Sequence, residues 1–201
     1  MVHVHPGDAA AAAADAEAAG RARGEPVAVL ILGGTRSGKS GYAEGLLPPD
    51  APVRYLATAR RRPGDAEWDA RIAAHRARRP SCWTTVEEPD VPSLLRAAEP
   101  GAPLLVDDLA TWLTGVLDDA RAWERTDVPA VVGERVAALV DAVGSCRGRA
   151  VLVSAEVGLG VVPSTRAGRM FRDELGALNA ALAAVCDEVL LLVAGLALRL
   201  K

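Results

Sequence analysis

Val27-Ala-Val-Leu-Ile-Leu32, followed by Gly33-Gly34-Thr35-Arg36-Ser37-Gly38-Lys39-Ser40, is the stretch that decides the fold. The apolar run is short and ends in paired glycines, so it reads as a buried strand feeding a tight turn. The loop after it fits G-x-x-x-x-G-K-[ST], and a helix is expected from Ser40 to Leu47, stopped by Pro48-Pro49. Glycines in such a loop let backbone N–H groups converge on phosphate oxygens, and the start of a helix adds the positive end of its dipole. Lys39 would reach the β- and γ-phosphates of a nucleoside triphosphate, and the Ser40 hydroxyl would ligate Mg²⁺. In a chain of this composition the pattern arises by accident on the order of once in a thousand sequences.

The lysine usage sharpens this reading. The chain has 21 arginines and only two lysines, Lys39 and the terminal Lys201. A compact ammonium at position 39 is therefore a chemical choice, because a planar guanidinium does not fit the same cradle. A phosphate loop also needs a carboxylate at the end of a neighbouring strand to hold the metal and its waters. Leu104-Leu-Val-Asp107 has that form, which makes Asp107 the metal candidate, with Asp108 competing for the role.

Outward from the loop, Val53 to Ala57 reads as a second strand, opening a βαβ unit. Trp68, Ile72 and His75 fall on one face of a helix expected between Ala66 and Arg78. Leu104 to Val106 and Ala150 to Ser154 read as further buried strands, and Ala130 to Val143 as an amphipathic helix. Pro163 opens a long helical pattern through Phe171, Leu175, Leu178 and Leu182. Val189 to Val193 and Leu196 to Leu200 then supply two last strands, expected as edge or antiparallel partners. The fold class is α/β and P-loop NTPase-like, a mostly parallel central sheet flanked by helices with C-terminal edge strands.

Composition bounds the rest. At 201 residues the expectation is a single nucleotide-binding catalytic domain over residues 27–201, after an Ala-rich tail over 1–26 that reads as disordered. A net charge of −3 gives no basic footprint for nucleic acid. The tail lacks the cationic start and apolar core of a signal peptide, and no apolar run approaches the ~20 residues that span a bilayer. Cys82, Cys146 and Cys186 are scattered, with no metal spacing, and read as reduced thiols of a cytoplasmic protein.

A resemblance rests on further segments. Tyr55-Leu-Ala-Thr-Ala59, then Asp69-Ala-Arg-Ile-Ala-Ala-His-Arg-Ala-Arg-Arg-Pro80 and Trp83-Thr-Thr-Val-Glu-Glu-Pro89 accompany the phosphate loop. Ser154-Ala-Glu-Val-Gly-Leu-Gly-Val-Val-Pro163 and Arg169-Met-Phe-Arg-Asp-Glu-Leu-Gly-Ala-Leu-Asn179 follow. Together they resemble the bifunctional adenosylcobinamide kinase/adenosylcobinamide-phosphate guanylyltransferase family of cobalamin biosynthesis, over about residues 27 to 201. The E-V-G-x-G-x-V-P and F-R-D runs are far more specific than a bare phosphate loop.

The resemblance implies two successive reactions with ATP and GTP as substrates, adenosylcobinamide and its phosphate as acceptors, Mg²⁺, and a homo-oligomer, typically a trimer. It implies that His75, the only histidine outside the tail, becomes guanylylated. A neutral imidazole near pH 7 can attack an α-phosphorus and leave a labile phosphoramidate. Arg71, Arg76, Arg78 and Arg79 surround it, with Arg76 and Arg79 the first choices to neutralise the triphosphate. Glu87 is placed to hold ribose or base, and Ala57, Thr58 and Ala59 to line the nucleotide.

The chain departs from the family's D-C-L-T-x-W-x-x-N run, with Asp108, Ala110 and Gly115 at the Cys, Thr and Asn places, and has Ala155 where an Asn precedes Glu156. A guanylyltransferase with an impaired kinase step, and another small-molecule P-loop kinase, are the alternative readings; the second leaves the His75 segment idle. A GTP switch would carry an N-K-x-D motif, and neither lysine sits in one.

Overall fold

The computed structural model describes residues 27–60, 73, 76, 79–87 and 89–201. Chain order is β1 (Ala28–Gly33), α1 (Lys39–Gly45), β2 (Arg54–Ala57), β3 (Thr84–Glu87), α2 (Val91–Arg96), β4 (Leu104–Asp107), α3 (Leu109–Asp119), a 3₁₀ turn (Ala122–Glu124), α4 (Ala130–Gly144), β5 (Ala150–Ala155), α5 (Arg166–Val185), β6 (Glu188–Val193) and β7 (Leu196–Arg199). The strands form one seven-stranded sheet in the order β3-β2-β4-β5-β1-β6-β7. All neighbours pair in parallel except β6 with β7.

Strands buried on both faces read as unbroken apolar runs, and their period of two divides the side chains between two layers. β1 is buried at every position. Leu30 and Leu32 join one core with Leu104, Val106 and Leu152, capped by Leu95 of α2, Leu113 of α3, Leu139 of α4 and Leu178 of α5. Val29 and Ile31 join the other with Leu105, Val151 and Val153, covered by Ala43 of α1 and by Trp83. Aliphatic side chains dominate both cores, and Tyr55 and Trp83 are the buried rings of the second.

Helix starts follow their caps. Asp108 caps α3, its carboxylate accepting from Thr111 N at 2.7 Å, and Asp90 caps α2 in the same way through Ser93 N. Each such cap stabilises by about 1 kcal/mol. The long C-terminal helix begins at Arg166 rather than at Pro163, because Thr165 Oγ1 accepts from Gly168 N and sets the start there. The helix after the phosphate loop is correspondingly shifted, Lys39–Gly45 against the expected Ser40 to Leu47.

The last two strands differ from each other. β7 is the antiparallel edge strand expected, whereas β6 lies inside it, parallel to β1 and buried at Val189, Leu190 and Leu192. A two-residue turn at Ala194 (φ 53°) and Gly195 (φ 83°) joins them, a left-handed pair that matches the twist of a tight hairpin. The strand β3 and the helices α2 and α3 had no expectation attached to them. No described helix is long and apolar enough to cross a membrane. The Ala-rich tail and the face shared by Trp68, Ile72 and His75 lie outside the described residues.

Candidate functional site

The carboxyl ends of parallel strands are where α/β sheets bind ligands, and the phosphate loop leaves β1 at that end. Its shape depends on two glycines. A Cβ on Gly33 would stand 2.5 Å from Ser37 Oγ and 2.9 Å from Leu192 O, closer than the loop allows. Gly38, at φ 91°, occupies the left-handed region just before α1. The loop is held by Ser37 N donating to Gly34 O at 3.3 Å and by Gly195 N of the β6–β7 turn donating to Ser37 O at 3.1 Å. Ser37 Oγ is buried without a hydrogen-bond partner. Lys39 Nζ arches back over the loop to Gly34 O at 3.3 Å, while Gly34, Thr35 and Arg36 stand exposed.

β5 separates β1 from β4, so the metal-type carboxylate is not on the adjacent strand. Helix α1 bridges the gap: Ser40 Oγ donates to Asp107 Oδ1 at 3.2 Å. A hydroxyl beside a carboxylate is a hard-oxygen pair that suits Mg²⁺, which keeps most of its waters and takes few protein ligands. The other Asp107 oxygen accepts from Tyr55 OH. Burial, and then the Asp107 charge, push the Tyr55 phenol far up, so it remains a proton donor at any working pH. The Arg79 guanidinium stacks on the Tyr55 ring, 3.3 Å from its centroid, and donates to Thr85 Oγ1 at 2.8 Å.

The two consecutive aspartates have separate tasks. Asp107 faces Ser40, whereas Asp108 turns back to cap α3, and the peptide joining them is cis. Burial pushes the Asp108 carboxyl up, partly offset by the Thr111 hydrogen bond. Thr58 Oγ1 donates to Asp108 O at 2.6 Å and lies 2.6 Å from Thr111 Oγ1, so the end of β2 is tied to the start of α3.

Of the residues expected at the nucleotide, the structure brings Gly33 to Ser40, Asp107 and the end of β2 at Ala57, Thr58 and Ala59 to the carboxyl ends of the parallel strands. Arg76 is exposed and 3.7 Å from Glu87 at the end of β3. Arg79 is placed against Tyr55 and Thr85. His75, Arg71 and Arg78 lie outside the described residues.

The departures from the family pattern are absorbed locally. Asp108 is a helix cap, and the space over Gly115 is filled by Arg60, whose Nε would stand 3.1 Å from a Cβ there. Tyr55 and Asn179 were not singled out as site residues from the sequence, although each carried a signal. A tyrosine in a buried strand needs a partner for its hydroxyl, and Asn179 interrupts the apolar ladder of Leu175, Leu178 and Leu182.

Asn179 is buried beneath the end of β5, accepting from Ser154 Oγ at 2.6 Å and donating to Ala155 O at 3.0 Å. Glu156 N, one residue on, donates to Gly33 O. Asn179→Leu therefore leaves a buried hydroxyl unpaired beside the phosphate loop, and is expected to cost about 2–3 kcal/mol of stability. Urea unfolding followed by circular dichroism measures it, and an unmoved midpoint would show that these bonds do not hold the strand end.

A glycine loop between strand and helix, an ammonium and a hydroxyl at its end, and a carboxylate two strands away turned onto that hydroxyl define a P-loop nucleoside-triphosphate protein. Residues 29–200 match the family model described as cobinamide kinase / cobinamide phosphate guanyltransferase. The bifunctional adenosylcobalamin biosynthesis protein CobP of Pseudomonas aeruginosa is 49% identical over 177 residues, 86% of this chain and 96% of that one. The CobU proteins of Escherichia coli and Salmonella typhimurium are 36% and 35% identical over 181 residues, in each case 86% of this chain and 99% of theirs. Among solved structures, an ATPase of a bacterial type III secretion system aligns with a TM-score of 0.48 and 12% identity, over 83% of this chain and 51% of that one, a likeness on which nothing rests. The chain belongs to the cobinamide kinase / cobinamide phosphate guanyltransferase family.

Proposed function

We propose that this chain performs both reactions of its family. The aminopropanol hydroxyl of adenosylcobinamide first attacks the γ-phosphorus of ATP or GTP, losing its proton as the β–γ oxygen bridge breaks and ADP or GDP leaves. His75 then attacks the α-phosphorus of GTP, forming a nitrogen–phosphorus bond as the α–β oxygen bridge breaks and pyrophosphate leaves. The phosphate of adenosylcobinamide phosphate attacks that adduct, the nitrogen–phosphorus bond breaks, and adenosylcobinamide-GDP and free His75 result.

The observation that carries this reading is the approach of Ser40 to Asp107 across an intervening strand, at the end of a phosphate loop, in a chain of this family. The loop amides and Lys39 bind and orient the phosphates, and place positive charge where negative charge develops. Ser40 and Asp107 would hold Mg²⁺, which supplies charge neutralisation between the phosphates when bound. Arg76, Arg78 and Arg79 are the candidates to position the triphosphate beside His75, with Glu87 for ribose or base. A cytoplasmic location belongs to the same reading.

Incubation with α-labelled GTP and Mg²⁺ tests it. An acid-labile, alkali-stable label on the protein, discharged by adenosylcobinamide phosphate, is the expected result. Absence of that label would leave a kinase alone.

Assembly into a homo-oligomer, a trimer by the resemblance, is part of the proposal. Its support is the edge strand β7, where Leu196 and Leu198 are exposed beside Val193 and the following Leu200, an apolar rim of the kind soluble proteins usually cover. Sedimentation should give a mass above that of one chain; a monomer at micromolar concentration would count against it.

A further inference from the structure

In the parallel pairing of β2 with β4, Ala57 stands opposite Asp107 and Tyr55 opposite Leu105. Alternation therefore puts Tyr55 and Asp107 on one face of the sheet as diagonal neighbours, a separation that a long aromatic side chain spans. That face is the one α1 covers, with Ala43 in the same core as Tyr55, Leu105 and Val153. Helix α1 also brings Ser40 onto the same carboxylate.

Asp107 is thereby held from two sides, with Ser40 Oγ donating to Oδ1 at 3.2 Å and Tyr55 OH donating to Oδ2. The phenol is fixed in its turn. Tyr55 is 1% exposed, and the Arg79 guanidinium covers its ring at 3.3 Å from the centroid. Arg79 is itself tied to Thr85 Oγ1 on β3, the residue opposite Tyr55 in the sheet. A ring packed on one side and stacked on the other keeps its hydroxyl aimed at one oxygen.

A carboxylate with both oxygens open can grip a cation through one or through two. Ca²⁺ accepts either arrangement, whereas Mg²⁺ demands near-ideal octahedral geometry, keeps several waters and takes few protein oxygens. A hydroxyl fixed on Oδ2 leaves Oδ1, beside the Ser40 hydroxyl, as the oxygen that Asp107 presents. Resting on the reading of Ser40 and Asp107 as the metal pair, we propose that Tyr55 is a positioning residue that holds Asp107 to one-oxygen ligation and so makes the phosphate site selective for Mg²⁺ over Ca²⁺. Tyr55 acts through Asp107, and the Arg79 stack serves by fixing the plane of the ring.

Full-length wild type, Tyr55→Phe and Tyr42→Phe are compared with Mn²⁺ as the probe, its free concentration read by electron paramagnetic resonance, in the presence of α,β-methylene-GTP, whose α–β bridge an attacking imidazole cannot break. Phenylalanine at position 55 keeps the ring, its burial and the Arg79 stack, and removes the hydroxyl alone. Tyr42 is the chain's other tyrosine and lies on α1, with the Glu188 charge near it, so its variant loses a hydroxyl away from Asp107. Outer partners of metal ligands commonly carry a tenfold or larger share of the affinity. Mn²⁺ affinity is accordingly expected to fall about tenfold or more in Tyr55→Phe and to stay at the wild-type value in Tyr42→Phe. Mg²⁺ should displace Mn²⁺ from the wild type at lower concentration than Ca²⁺ does, and that gap should narrow in Tyr55→Phe.

Equal Mn²⁺ affinity in all three proteins overturns the role of Tyr55 and leaves the metal pair standing. A Tyr55→Phe protein that melts lower but binds and discriminates metals like the wild type does the same, since its hydroxyl would then be structural. A wild type from which Mg²⁺ and Ca²⁺ displace Mn²⁺ equally overturns the inference without any variant, whether or not Tyr55→Phe folds. Loss of Mn²⁺ affinity in Tyr55→Phe, in a chain whose wild type never labels with α-labelled GTP, would uphold Tyr55 and sink the guanylyl reading. A wild type that binds no Mn²⁺ beside the nucleotide overturns the metal pair together with the inference.

Discussion

Lys39→Ala is expected to lower turnover of at least one transfer step by two orders of magnitude or more, and to weaken nucleotide binding. The ammonium arches over the loop to Gly34 O, the place from which it can swing onto a bound triphosphate. The chain's other lysine, Lys201, is occupied at the far end of α5, where its ammonium donates to Ala183 O, Ala184 O and Cys186 O. Removing one electrostatic contact aimed at developing charge costs on the order of 3 kcal/mol in the transition state. Steady-state rates for both half-reactions and calorimetric nucleotide affinity measure the effect. Lys39→Arg should fail to restore the rate, since a planar fork does not fit where a compact cation sits. Unchanged affinity and turnover in Lys39→Ala would remove Lys39 from the cradle.

His75→Ala sets the two half-reactions against each other. Covalent labelling by α-labelled GTP and formation of adenosylcobinamide-GDP should both disappear. Phosphorylation of adenosylcobinamide should persist at a reduced rate, because it needs positioning and charge stabilisation from the loop, Ser40 and Asp107 but no nucleophilic imidazole. Persistent label in the variant would exclude His75 as the nucleophile. Equal loss of both reactions in a folded protein would make His75 a residue that orients the shared nucleotide.

The buried parallel strands were legible because nothing but an apolar run survives burial on two faces; Val27 to Leu32 announces β1 without help. The phosphate loop and Asp107 were legible because glycines, one ammonium and a strand-end carboxylate are chemically narrow choices. Other features were hidden for physical reasons. β3 is only Thr84–Glu87, with exposed Thr84 and Glu87, so it has neither length nor alternation to mark it. β6 looks like an edge strand from its place in the chain, and only its pairing with β1 shows that it is interior. The division of labour between Asp107 and Asp108 follows from cap geometry, which adjacent identical residues cannot reveal. Tyr55 was within the quoted resemblance, yet its bond to Asp107 and the Arg79 stack depend on tertiary placement.

The Gly195 bond to Ser37 has a consequence for the timing of synthesis. The loop's sequence leaves the ribosome early, but both strands that flank β1 come from residues 150–155 and 188–193, and the turn that pins the loop lies beyond them. A nascent chain ending before residue 188 has β1 paired on one side only and no donor for the Ser37 carbonyl. The phosphate loop is thus held in shape by residues 188–195 as well as by its own sequence. A tag or stop that disturbs the C-terminal hairpin is expected to silence a phosphate site encoded more than a hundred and fifty residues upstream.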